Sequence, residues 1–159
     1  METGGCLTQR LLKEKKLLLV LDLDQTIVHA VVENEKVIQN SSNRLPSESK
    51  DIFHIQHKET KFHVKPRYYL NEFIHMIQEH YELWLYTHAN QNYTTFILDK
   101  IDPEKRIKQQ FVNEPYDLKP KNKTLFDKII FMPGNPSLPC SVMEQLDPTM
   151  LFILDDNPI

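Results

Sequence analysis

Glycine is scarce: the chain carries only Gly4, Gly5 and Gly134. Three scattered glycines build no Gly-rich phosphate loop, which excludes the P-loop and the dinucleotide-binding fingerprint. If the protein handles phosphate, side chains and a metal must do the work. Cysteine is equally sparse. Cys6 and Cys140 lie far apart, match no metal-ligand spacing, and read as two free thiols in a reducing compartment. Long apolar runs are missing too: Leu17–Leu21 stops at Asp22, far short of a bilayer span. Glu2 comes early, with no long apolar stretch before the first charged cluster, so no secretory signal is expected. Basic charge is not in excess either. A formal net charge of -3 gives no footprint for nucleic acid, so any such connection would be indirect. A cytosolic or nuclear protein is the default.

What remains is an ordinary globular composition, 40% hydrophobic and 26% charged, in 159 residues that suit one domain with a real core. Residues 1–15 form a charged lead-in, with a short helix near 9–16, and residues 16–159 form the main domain. Leu17–Leu21 reads as a central parallel strand covered on both faces. Within an insertion spanning 33–65, residues 33–51 are polar and exposed, and Ile52–Gln56 with Lys61–Val64 form a hairpin. Apolar spacing predicts a helix from Tyr69 to about His80 with Phe73, Ile74 and Ile77 in the core. Glu82–Thr87 is a second strand, with Trp84 and Tyr86 as core and crevice wall. A helix follows from Asn90 to Ile101, presenting Tyr93, Phe96 and Ile97 on one face and closed by Asp102-Pro103. Residues 112–123 are irregular, Thr124–Ile130 is a short helix, and three prolines exclude regular structure across Met132–Pro139. Met150–Leu154 is the third buried strand. The chain stops a few residues later, which leaves room for further sequence beyond Ile159. Alternating strands and helices point to a parallel sheet in an α/β layer fold.

In such sheets reactive groups gather at the carboxyl ends of the strands. Those ends hold Asp22 and Asp24, then Thr87, then Asp155 with Asp156. Carboxylates crowded into one crevice raise one another's pKa unless a cation intervenes, and an all-oxygen acidic set suits Mg²⁺. A metal there would let a carboxylate approach an anionic phosphate. Asp22 could then attack phosphorus, with Asp24 as general acid and later base, while Thr87 and a lysine hold the transferring oxygens. The competing readings are plainer. The two acids and Thr26 could cap a turn, Arg67 could close a surface ion pair, and Lys119, Lys121 and Lys123 could be a solvated loop. His54, His57 and His63 could suggest zinc, but strand alternation places them on different faces.

The segment Leu21-Asp-Leu-Asp-Gln-Thr-Ile-Val-His-Ala30 resembles the Asp-x-Asp-x-Thr signature of the haloacid dehalogenase superfamily. More narrowly, it is similar to the phosphatases of the RNA polymerase II carboxy-terminal domain. Val64-Lys-Pro-Arg-Tyr-Tyr-Leu70, Tyr81-Glu-Leu-Trp-Leu-Tyr-Thr87 and Ile153-Leu-Asp-Asp-Asn157 resemble further motifs of that family in the same order. The resemblance implies a Rossmann-like three-layer fold with a central parallel sheet and a small hairpin or loop insertion. It implies Asp22 as nucleophile, Asp24 as acid/base with its carbonyl on Mg²⁺, Asp156 as side-chain metal ligand and Asp155 behind it. Lys123 would neutralise phosphate, Thr87 and Thr26 would lie at the phosphate, and Arg67 would contact substrate. The implied activity is Mg²⁺-dependent phosphoserine/phosphothreonine hydrolysis through an aspartyl-phosphate, on the phosphorylated tail of RNA polymerase II. The implied setting is nuclear and monomeric, with no membrane and no direct nucleic acid. Alternatives are a phosphatase of the same superfamily for another phosphoprotein or a small metabolite, and a non-catalytic peptide-binding module of the same fold. The family's Pro-Gly after the arginine is Tyr68-Tyr69 here, and Gln110–Pro115 replaces an arginine-bearing segment. Both departures bear on peptide recognition more than on phosphate chemistry.

Overall fold

The structure is a computed structural model that describes residues 7–33, 51–57, 59–112 and 146–156. In chain order the elements are α1 (Leu7–Glu14), β1 (Leu17–Leu21), β2 (Val28–Val32), β3 (Phe53–His57), β4 (Thr60–Pro66), α2 (Leu70–Ile77), β5 (Tyr81–Tyr86), α3 (Gln91–Ile101), β6 (Ile107–Phe111) and β7 (Leu151–Leu154), the last entered from a single 3-10 turn, Pro148–Met150. The helix expected over Thr124–Ile130, the Pro-rich stretch and the three lysines of 119–123 lie outside the described residues.

Four strands make a parallel sheet in the order β6-β5-β1-β7. The apolar run of β1 sits in its middle, paired with β5 on one side and β7 on the other. Strand side chains alternate between faces, so this run must be covered twice. Leu19 and Leu21 face one layer with Leu83, Leu85 and Ile107, beneath Leu70 and Ile74 of α2 and Tyr93, Ile97 and Ile101 of α3. Leu18 and Val20 face the other with Trp84, Tyr86 and Phe111, beneath Leu7 and Leu11 of α1. Helix, sheet, helix is the three-layer α/β arrangement expected. Leu18, Val20 and Leu21 are fully buried, and each contributes about 2 kcal/mol by leaving water.

The charged lead-in forms α1 and is pinned to the sheet. The Arg10 guanidinium donates to both Glu82 carboxylate oxygens (2.6 and 3.0 Å), and Trp84 Nε1 donates to the same carboxylate at 2.8 Å. Helix α3 begins at Asn90, whose side chain accepts from Tyr93 N–H, and ends at Asp102. The buried Asp102 carboxylate accepts from the Arg106 and Ile107 amides and from Arg106 Nε, turning the chain into β6. The buried stripe of α3 is Tyr93, Thr94, Ile97, Leu98 and Ile101. Phe96, expected on that face, is exposed, because it falls off the i, i+4 stripes that Tyr93–Ile97–Ile101 and Thr94–Leu98 define.

Between β1 and α2 the chain builds a second, antiparallel sheet in the order β2-β4-β3. The expected hairpin is β3/β4, and β2 adds a third strand to it. Ile55, Val64 and Val28 of this sheet join the core layer under α3. His54 pairs directly with His63, with ring centroids 4.7 Å apart. These two histidines therefore share a face, contrary to the expectation that alternation separates all three. Residues directly opposite in an antiparallel pair point the same way. No described residue joins them as a third metal ligand. No helix among the described residues is long and apolar enough to cross a membrane.

Candidate active site

From β1 the chain crosses to β5 and β6 on one side, then returns to place β7 on the other. The order reverses at β1, and ligands of open α/β sheets bind beyond the carboxyl ends of the strands at such a reversal. Asp22 is the first residue past that end. Its N–H still donates to Leu154 O (2.9 Å), which continues the ladder with β7 by one step. The register Leu21↔Leu154 therefore sets Asp155 beside Asp22, roughly one strand spacing away. Carboxylate oxygens of Asp22, Asp155 and Asp156 lie within 4.8 Å of one another.

The loop after Asp22 folds back on itself. Leu23 O accepts from the N–H groups of Ile27 and Val28 (3.1 Å each), Gln25 N–H donates to Val28 O (2.8 Å), and Leu23 and Ile27 are buried beneath. Gln25 adopts φ 68°, a left-handed backbone that costs a non-glycine residue about 1 kcal/mol. Arg67 supports this loop. Its N–H donates to Ile27 O (3.0 Å), its Nε to Thr26 O (3.2 Å) and its Nη2 to Gln25 O (2.5 Å). Arg67, expected to contact substrate, thus spends Nε and Nη2 on three consecutive loop carbonyls together with its amide.

Asp24, two residues after Asp22, takes a different environment from the trio. Tyr93 OH, from the first turn of α3, donates to Asp24 Oδ1 at 2.7 Å. Burial raises the Asp24 pKa, and the tyrosine hydrogen bond lowers it part of the way back. The Tyr93 hydroxyl is itself pushed above its ordinary value by burial and by Asp24, so it remains a donor. Sequence pattern alone makes Tyr93 only part of a helix face. The signal available was its place three residues after the Asn90 cap, in the helix turn next to the strand ends.

The Asp22 carboxyl is pushed up from 3.8 to about 6, chiefly by burial, with the charges of Asp155 and Asp156 adding to it. The Leu23 amide and Thr26 pull it down. The buried Thr26 Oγ1 does not reach full hydrogen-bond geometry with any partner, so its pull on Asp22 is one of proximity. Thr87, 4% exposed, ends β5. Its Oγ1 accepts from Ala89 N–H at 3.1 Å, which leaves the hydroxyl proton available to donate. Lys123 lies outside the described residues, as do Lys119 and Lys121.

Burial, with the charges of Asp155 and Asp156, raises the Asp22 pKa, so the trio forms a site with surplus negative charge. Their donor set, all carboxylate oxygen, fits a hard divalent cation such as Mg²⁺. Asp155 supplies an oxygen to that set on the same terms as Asp156.

The sequence pattern of the NLI interacting factor-like phosphatases matches residues 17–130. The chain belongs to that family. Among similar proteins, the human phosphatase of the RNA polymerase II C-terminal domain is 31% identical over 142 residues, which is 87% of this chain and 14% of that protein. Its counterpart from Schizosaccharomyces pombe is 27% identical over 160 residues, covering 94% of this chain and 20% of the relative. Among solved structures, the fission yeast RNA polymerase II CTD phosphatase Fcp1-R271A bound to beryllium fluoride superposes with a TM-score of 0.64 at 25% identity, covering 94% of this chain and 39% of that one. The fold is thus the haloacid dehalogenase type shared by this phosphatase family. The chain spans between about a seventh and a fifth of the lengths of these two curated relatives.

Proposed function

We propose that this domain hydrolyses phosphoserine and phosphothreonine esters in the carboxy-terminal tail of RNA polymerase II, in the nucleus. The observation that carries the reading is the meeting of Asp22, Asp155 and Asp156 at one strand end, with Asp24 held separately by Tyr93. Two acids on one loop in two environments match two chemical roles. Asp22 attacks phosphorus, and the bond from phosphorus to the serine oxygen breaks as Asp24 delivers a proton to that oxygen. Asp24 then takes a proton from water, which attacks phosphorus and releases Asp22 from the aspartyl-phosphate. Burial raises the Asp24 pKa, the direction a proton donor requires. Thr87 donates its hydroxyl proton to a phosphate oxygen, and Thr26 backs Asp22. Lys123 neutralises phosphate charge, and Arg67 keeps the loop in shape beside the substrate.

Asp22, Asp156 and the Asp24 carbonyl would hold Mg²⁺, supported by Asp155. When bound, the ion neutralises the carboxylates and draws off phosphate charge, so that an anionic nucleophile can approach.

The test is Asp22→Asn. Hydrolysis of an aryl phosphate should fall by roughly three orders of magnitude or more, with the circular dichroism spectrum unchanged. Full activity in a folded variant would remove the nucleophile. Comparing kcat/KM on phosphorylated heptad peptides and on small phosphate esters decides the substrate, and a preference for the small esters would move the assignment to a metabolite phosphatase.

A further inference from the structure

Two of the most exposed aromatic side chains among the described residues belong to the segment that braces the loop after Asp22. Tyr68 is 73% and Tyr69 78% exposed. They follow Arg67 directly, and Arg67 is bound to the carbonyls of Gln25, Thr26 and Ile27, in the loop that starts at Asp22. The pair is therefore tied to the catalytic loop rather than carried on a free-standing turn. Tyr68 is also oriented. Lys65 Nζ lies 4.7 Å from its ring centroid and donates to its hydroxyl at 3.1 Å. Tyr69 is held at φ 61°, ψ 19°, the left-handed region that favours glycine, with no side-chain cap to offset it. Nothing in the packing rewards a tyrosine in that conformation, since its ring faces water. An exposed aromatic pair with one member in a strained backbone, tied to the loop that carries the acids, points to a ligand contact.

We propose that Tyr68 and Tyr69 form an aromatic ledge that grips the polypeptide flanking the phosphorylated residue, and so select a protein substrate over a small phosphate ester. This rests on the phosphatase reading above. The occupant is an extended phosphopeptide. The ledge is joined to the loop after Asp22 through Arg67, and Lys65 and Arg67 give its border the positive charge that an anionic chain requires. Tyrosine suits the role because its large amphipathic ring contributes contact area while losing little rotamer freedom on binding.

Tyr68→Ala, Tyr69→Gly and the double variant test this in the full chain. The ratio of kcat/KM for a phosphorylated heptad peptide to that for an aryl phosphate should fall about tenfold in the double variant, through KM for the peptide. An unchanged ratio overturns the ledge, as does an equal loss on both substrates, which would make the pair a support for the catalytic loop. Binding separates this result from the fate of the proposed reaction. A fluorescent phosphorylated heptad peptide titrated into Asp22→Asn should lose about tenfold in affinity when the tyrosines are also replaced. A chain inert toward aryl phosphate would end the phosphatase reading, yet this titration still decides the ledge. Tyr69→Gly should bind peptide more weakly while its Tm rises, because the backbone strain is relieved. A glycine variant with undiminished affinity overturns the proposal. So does concentration-dependent self-association of the wild type that the tyrosine variants abolish, which would make a second copy the occupant.

Discussion

At the scale of single residues, the proposed division of labour between Asp22 and Asp24 depends on one hydroxyl. Tyr93 OH donates to Asp24 Oδ1 and lowers a pKa that burial has raised. Tyr93→Phe keeps the ring packed near Phe62 and deletes only the donor. The Asp24 pKa should then rise further. A general acid must hold its proton, so the alkaline limb of the kcat/KM profile should move to higher pH. The rate at the optimum should fall roughly tenfold or more as Asp24 loses its fixed orientation. A pH-rate series on an aryl phosphate checks both, and an unmoved alkaline limb would detach Tyr93 from the acid. The acids themselves stand out in the sequence because they cluster just past apolar runs. Tyr93 does not, because its place at the site comes from a contact 69 residues away.

At the scale of elements, α1 is the clearest case of a segment whose weight is invisible in its composition. Its charged letters suggest a solvated lead-in, yet Leu11 is fully buried against the sheet. Leu11→Ala should cost about 3 kcal/mol, read as a lower urea midpoint with an unchanged slope. A cost under about 1 kcal/mol would mean that α1 is only laid on the surface. Three strands were legible because β1, β5 and β7 are mostly apolar runs. Strand β7, expected to be buried, is instead an edge strand with Phe152 47% and Leu154 43% exposed, since among the described residues only its β1 side is paired. The fourth, β6, was missed. Only its end residues Ile107 and Phe111 are buried, and the three between them are exposed polar side chains on an edge. Neither alternation nor a run marks it, and pairing with β5 creates it. The joining of β2 to the hairpin is likewise a long-range pairing that local patterns do not encode.

At the scale of the molecule, the acidic trio sets function against stability. The folded Asp22 carboxyl has its pKa raised from 3.8 to about 6. Near pH 4 and below, both folded and unfolded chains keep the proton and nothing is lost. Between about 4 and 6 the unfolded chain has released a proton that the native state retains, so stability falls as pH rises. Above about 6 the penalty is complete. With a chelator at neutral pH, Asp22→Asn should therefore be more stable than the wild type, by on the order of 2 kcal/mol after allowance for partial exposure. The gap should close near pH 4. Mg²⁺ should relieve the same repulsion in the wild type, adding about 3 kcal/mol at a hundredfold excess over its Kd and much less in acid, where protons compete. Thermal melts with and without the ion across pH measure this, and a Tm indifferent to Mg²⁺ at neutral pH would leave the trio without its cation.

The strand that brings Asp155 and Asp156 to Asp22 is the last described in the chain, and the strand that carries Asp22 is the first. A growing polypeptide consequently emerges from the ribosome with Asp22 early and Asp155 and Asp156 late, and the acidic trio cannot assemble until more than a hundred and thirty intervening residues have been spanned. On the proposed phosphatase reading, turnover is for that reason a report that β7 has docked against β1.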